Sequence, residues 1–220
     1  NKGRRSYDLG HDAGGIALAR SNDGKFLIGG SVNPSGASGE LDFLVLRIHS
    51  NGDIDTSFGV DGSFIGDFPS PVQGQATMDS IDVIHVLHDG KILATGTSTR
   101  KEQSQFGISH ARSVMLNPDG SLDVSFGVDG SVATNIGYGD YVPAGSQDST
   151  SAIDHQGRIM IGVVPYFEAD NPSNFGCKVL RYLPNGSLDP SFGEKGVKVM
   201  TPGQISRCAD LAFVANGKIL

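Results

Sequence analysis

One stretch of this chain returns twice, in phase with a second marker, and that repetition limits the folds open to it. Asn51-Gly52-Asp53-Ile54-Asp55-Thr56-Ser57-Phe58-Gly59 comes back as Asp119-Gly120-Ser121-Leu122-Asp123-Val124-Ser125-Phe126-Gly127, and again as Asn185-Gly186-Ser187-Leu188-Asp189-Pro190-Ser191-Phe192-Gly193. The offsets are 68 and 66, and a further glycine follows each copy at Gly62, Gly130 and Gly196. The other marker precedes each copy, as Asp23-Gly24-Lys25, Asp89-Gly90-Lys91 and Gln156-Gly157-Arg158, and it returns as Asn216-Gly217-Lys218. Each repeat of about 66 residues is one unit, and the units must stack to bury a shared core.

Within a unit the pattern is that of strands. Ile81-Asp82-Val83-Ile84-His85-Val86-Leu87 lies before Asp89-Gly90, and Ile92-Leu93-Ala94 lies after it. Asp-Gly accepts the positive φ of a type I′ turn, so these two segments read as a hairpin, strands a and b. Strand c leads into the second marker, at 43–48, 113–116 and 177–182; strand d follows the last glycine, at 63–65, 131–134 and 197–200. With 31 glycines and 10 prolines in 220 residues, long helices are disfavoured and short strands with tight turns are not. The expected fold is all-β, a β-propeller of four-stranded antiparallel blades. A β-solenoid is the alternative, although its coils are usually shorter.

The second marker, Asp/Asn-Gly-Ser-Leu-Asp-x-Ser-Phe-Gly-x-x-Gly, resembles the bacterial delta-60 repeat family. The resemblance covers about 13–202 in three copies and the start of a fourth at 203–220, and it implies a β-propeller in a secreted or surface protein. Two positions depart from it: Met115 stands where the other copies have Arg47 and Arg181, and Gln156-Gly157-Arg158 weakens the first marker. The implied organisation is an outer strand of a preceding blade (1–12), blades at 13–70, 71–139 and 140–202, and the start of a fourth at 203–220. Three full units are too few for a ring, since propellers have about 4–8 blades. The ring is therefore expected to be incomplete in this chain. It would be completed by the rest of a longer chain or, alternatively, by a second copy.

Phe58, Phe126 and Phe192 share one position and are expected to fill the gap between neighbouring blades. Asp55, Asp123 and Asp189, each two residues before a serine, suit an Asx-type turn. A calcium loop is the functional alternative for these aspartates, but the alternating carboxylates and terminal Glu of an EF-hand are missing. No cofactor is expected. Cys177 and Cys208 can pair or remain buried thiols.

Strand parity places both regular markers at one face and the longer connections at the other: 31–42, 97–110 and 164–176 between strands b and c, and 66–80, 135–149 and 201–207 between d and a. Loops on a rigid scaffold are where binding groups concentrate. The ligand-binding candidates are Tyr138, Asp140 and Tyr141 on one loop and Tyr166, Glu168 and Asp170 on another. Aromatic rings beside carboxylates suit a glycan, the ring against the apolar sugar face and the carboxylates on its hydroxyls; packing of their own loops is the bland reading. His85 and His88, at the end of strand a beside Asp82 and Asp89, are the nearest thing to a cluster, and His85 sits on the strand expected to line the channel, where a metal or acid–base role is the functional alternative. The net charge of −7 and the lack of a basic stripe disfavour nucleic acid. No apolar run reaches the roughly 20 residues of a membrane span. No hydrolase elbow, zinc-protease motif or phosphate loop is present. The expected function is a non-catalytic interaction or structural module, secreted or at a cell surface, adhesive or glycan-binding, with a glycan or protein partner. The alternative is a polysaccharide-acting hydrolase or lyase at the channel mouth.

Overall fold

The turn glycines take the conformations that the repeat requires. In the computed structural model Gly24, Gly90 and Gly157 have φ of 85°, 84° and 76°, which closes each a–b hairpin. The structure describes residues 3–37, 40–68, 77–101, 106–140, 149–164, 177–200, 208 and 210–213. Among the described residues, twelve strands form three four-stranded antiparallel sheets, each a simple meander. The first holds β1 (Asp12–Arg20), β2 (Phe26–Asn33), β3 (Asp42–Ile48) and β4 (Ser63–Gly66). The second holds β5 (Thr77–Val86), β6 (Ile92–Lys101), β7 (Phe106–Leu116) and β8 (Ser131–Asp140). The third holds β9 (Ser149–Ile153), β10 (Ile159–Val163), β11 (Cys177–Tyr182) and β12 (Val197–Met200). The sheets stack as blades of an open, incomplete propeller.

Two expectations about loops are corrected. The segment 97–110 is mostly a hairpin, because β6 and β7 stay paired from Ile92↔Leu116 out to Lys101↔Gly107. Its Thr- and Ser-rich sequence lacks an apolar alternation but suits a pleated strand. Likewise β8 continues to Asp140, so Tyr138 and Asp140 lie on a strand, opposite Ile108 and Phe106. Residues 3–11, expected to include an outer strand, are in no strand.

The blades meet through one joint, built twice. Phe58 is fully buried in a cluster that includes Ile92, Val114 and Leu116 of the second blade. Phe126 does the same against Ile159, Leu180 and Tyr182 of the third. Beside each ring the next glycine donates its N–H across the gap: Gly59 to the Asp119 carbonyl at 2.7 Å and Gly127 to the Asn185 carbonyl at 2.8 Å. Gly120 is obligatory at this contact, since its φ is 89° and a Cβ there would lie 2.6 Å from the Gly59 nitrogen. Phe192 is half-buried and packs near Cys208, Leu211 and Phe213. Cys177 and Cys208 are joined in a disulfide, with Cα atoms 5.3 Å apart.

The aspartate of each marker closes its turn as expected. Asp55, Asp123 and Asp189 each accept hydrogen bonds from the N–H and hydroxyl of the serine two residues on. In the first and third blades an arginine from strand c completes the unit. Arg47 Nε reaches Asp55 at 2.7 Å and Arg181 Nε reaches Asp189 at 2.8 Å, and each guanidinium lies 4.6 Å from the ring of Phe58 or Phe192. Met115 removes that cation from the second blade, and Lys91 replaces it, its Nζ 2.8 Å from Asp123.

These contacts set two outcomes. Phe126→Ala should cost about 3–5 kcal/mol of unfolding free energy, the usual loss for a buried ring, as read from urea denaturation. Lys91→Met should lower the melting temperature more than Lys25→Met does. Asp123 would lose its ion-pair partner, whereas Asp55 would keep Arg47 after losing Lys25.

Candidate functional site

The two faces of the blades differ in how their charges are used. On the marker face a groove of about 500 Å³ runs between the first two blades, lined by Asp23, Lys25, Arg47, His88 and Asp119 among others. Its charges are spent internally: Lys25 pairs with Asp23 and Asp55, and Arg47 with Asp55 and the Pro118 carbonyl. A similar groove between the second and third blades contains the Lys91–Asp123 pair. Among the described residues, no group of three or more His, Cys, Asp or Glu is placed to hold a metal ion.

The opposite end of the first joint carries a cluster that does not belong to the repeat. Leu41, just before β3, forms a parallel bridge with Met78 of β5: Leu41 N–H donates to the Thr77 carbonyl at 3.0 Å and Asp79 N–H to the Leu41 carbonyl at 2.8 Å. This pairing brings Asp79 of the second blade near Asp42 and Asp67 of the first. Phe68 stacks edge-on to Phe43, centroids 5.3 Å apart, and the Arg112 guanidinium covers its face at 4.5 Å. Asp79 is 0% exposed, with the Ser98 hydroxyl and the Arg112 charge as its favourable neighbours.

Such burial disfavours the ionised form. It pushes the Asp79 carboxyl up to about 7; the Ser98 hydroxyl and the charge of Arg112 oppose the rise, and the charges of Asp42 and Asp67 add to it. Burial also raises Asp42 to about 6, helped by the charges of Asp67 and Glu40. His110, in the same region, is held below its ordinary value by burial and by the charges of Arg112 and Arg100. A carboxyl near 7 is the range of a general acid. Asp79, however, is closed off inside the joint, where no glycosidic oxygen can reach it. Its place is structural, within the contact where Leu41 of the first blade bridges Met78 of the second.

His85, expected at a channel, instead reaches across the second joint, its Nε2 2.9 Å from the Ser151 hydroxyl. Of the ligand-binding candidates, Tyr138 and Asp140 occupy β8, while Tyr141, Tyr166, Glu168 and Asp170 lie outside the described residues. Sequence reasoning missed Asp79 and Arg112. Asp79 fell in the connection expected at 66–80 and Arg112 just ahead of the strand expected at 113–116, whereas β5 and β7 include them both.

A family model described as a domain of unknown function (DUF5122) beta-propeller matches residues 21–58, 88–126 and 157–192, just over half of the chain. The chain belongs to this DUF5122 β-propeller family. Each matched stretch begins at the a–b turn or within three residues of its glycine and runs to the marker phenylalanine. No curated protein matches the chain.

The raised Asp79 and Asp42 values fix a pH dependence. A carboxyl whose folded value lies above the unfolded one contributes most below the unfolded value, and that contribution is lost as pH rises through the folded value. The contribution of these two carboxyls to stability should therefore fall as pH rises from about 4 to about 7, the latter being the Asp79 value, while His85 and His110, lowered by burial, act in the opposite sense. Asp79→Asn should raise the melting temperature at pH 8 and change it much less at pH 5. Melts across this range check the sign.

Proposed function

We propose that this chain is a non-catalytic interaction module that binds a glycan through the face carrying the b–c and d–a connections, within a secreted or cell-surface bacterial protein. One observation carries the reading: on the marker face the charges that recur from repeat to repeat are consumed in turns and ion pairs, as with Asp55 held by Ser57, Arg47 and Lys25. Sequence differences between the blades fall instead at the other end, where Tyr138, Asp140, Tyr141, Tyr166, Glu168 and Asp170 supply rings and carboxylates suited to sugar hydroxyls. The resemblance to delta-60 repeats supports the compartment. So does the Cys177–Cys208 disulfide, a bond that persists outside the reducing cytosol. The rival reading, a hydrolase or lyase, gains nothing from Asp79, which substrate cannot touch.

A glycan array probed with the purified protein, with calcium and with EDTA, tests this. The expected result is reproducible binding in both buffers that Tyr138→Ala or Tyr166→Ala weakens by about tenfold or more, the loss of roughly 1.4 kcal/mol, with unchanged melting curves. Binding that survives both substitutions would sink the loop-face assignment, and an array without hits would sink the glycan as ligand.

A further inference from the structure

The second blade lacks the side chain with which the other two cover their turn. In the first blade one guanidinium spans the site. Arg47 Nε reaches Asp55 at 2.7 Å, Nη2 the Ser57 hydroxyl at 3.3 Å and Nη1 the Pro118 carbonyl of the next blade, with the Phe58 ring 4.6 Å away. Arg181 makes the corresponding contacts with Asp189, Ser191 and Phe192. Asp123, Ser125, Phe126 and Pro184 hold the same places around the second joint, and Met115 stands where the arginine would be. The frame is unchanged, since Gly127 N–H meets the Asn185 carbonyl as Gly59 N–H meets that of Asp119. Methionine follows the course of the arginine methylenes but ends in a methyl group, so it brings neither donor nor charge.

The two grooves of the marker face differ accordingly. In the first joint Arg47 lines the groove, and among the described residues neither Asp55 nor Phe58 does. In the second, a groove of about 410 Å³ reaches Asp123 and Phe126 themselves, with Met115, Ser125 and Pro184 around them. The Asp123 side chain is 14% exposed, against 4% for Asp55 and 6% for Asp189. Lys91 does not close this opening. Its Nζ meets Asp123 as Lys25 Nζ meets Asp55, and in the first blade one carboxylate oxygen takes both Lys25 at 2.9 Å and Arg47 at 2.7 Å. Hydrogen bonds from Lys91 and Ser125 hold Asp123 ionised, its value brought down to about 2.

We propose that the groove between the second and third blades binds an arginine side chain of a peptide or protein partner. Its guanidinium pairs with Asp123 and Ser125, donates to the Pro184 carbonyl and lies against the Phe126 ring. Met115, unbranched and adaptable, moves aside from that ring. The first blade is the internal precedent: one guanidinium satisfies all four groups there while the turn lysine stays on the carboxylate. Arginine is favoured over lysine because only a planar fork reaches carboxylate, hydroxyl and carbonyl together while stacking on a ring. The site lies on the marker face and is independent of any glycan bound at the opposite end.

The probes are N-acetyl-arginine amide and N-acetyl-lysine amide, of equal charge, titrated into the 220-residue protein and followed by amide NMR shifts. Saturable shifts at Ser125, Phe126 and Asn185 are expected with the arginine compound, and binding of the lysine compound should be at least about tenfold weaker. A blocked peptide with one arginine among glycines should bind at least as tightly as the single residue. Met115→Arg seats the protein's own guanidinium in the groove and should abolish the binding. Arg47→Met reproduces the second groove in the first joint and should create binding there, read at Ser57, Phe58 and Asp119, which keeps the test open should Met115→Arg fail to fold. Equal binding of the two amides would overturn the proposal, as would undiminished binding by folded Met115→Arg, or Arg47→Met without a new site. A peptide bound more weakly than the single residue would overturn the partner, assigning the groove to a free alkylguanidine.

Discussion

Everything in this molecule hangs on a main-chain hydrogen bond between blades, made beside a buried phenyl ring. Gly59 N–H to the Asp119 carbonyl, with Phe58 sealed beneath it, fixes how the first blade meets the second, and Gly127 with Phe126 repeats it at the next joint. The contact needs a donor at a Phe-Gly and an acceptor at an Asp/Asn-Gly turn with no side chain in the way. Both halves are therefore written into one marker. A blade that can donate to its successor can also accept from its predecessor, which is why a single short motif suffices to specify a stack.

The ion pairs support that joint without defining it. The second blade loses the strand-c arginine to Met115 and keeps its turn, because Lys91 arrives at Asp123 from the a–b hairpin instead. Residues 25 and 47 both serve Asp55 in the first blade, so the repeat contains more cationic positions than each turn requires. Such overlap lets individual blades drift in sequence while the Asx turn and the Phe-Gly contact stay fixed.

Strand order, turn positions and the place of the marker phenylalanines were legible because each depends on local spacing: an Asp-Gly turn, an alternation, a ring at a constant distance from a glycine. The long β6–β7 hairpin was not, since Thr97 to Arg100 and Ser109 to Arg112 read as polar loop until paired with each other. The Asp42–Asp67–Asp79 cluster was hidden for a different reason. It arises where Leu41 of one blade bridges Met78 of the next, a contact that no periodicity within a single repeat announces. Tyr138 and Asp140 were chosen as loop residues from chemical type, and the continuation of β8 shows how residue type alone misjudges where a strand ends.

The disulfide makes the stack mechanically asymmetric. Cys177 sits on strand c of the third blade and Cys208 lies in the segment that follows it, so the bond spans 31 residues across the trailing boundary of that blade. In a solenoid-like array, where each unit holds only its neighbours, tension along the chain is released at the weakest boundary. While the bridge is intact, that boundary cannot be the trailing one. A pull on the two ends would peel the molecule from its amino-terminal side, shedding the first blade, and reduction of a single bond would redirect where it gives way.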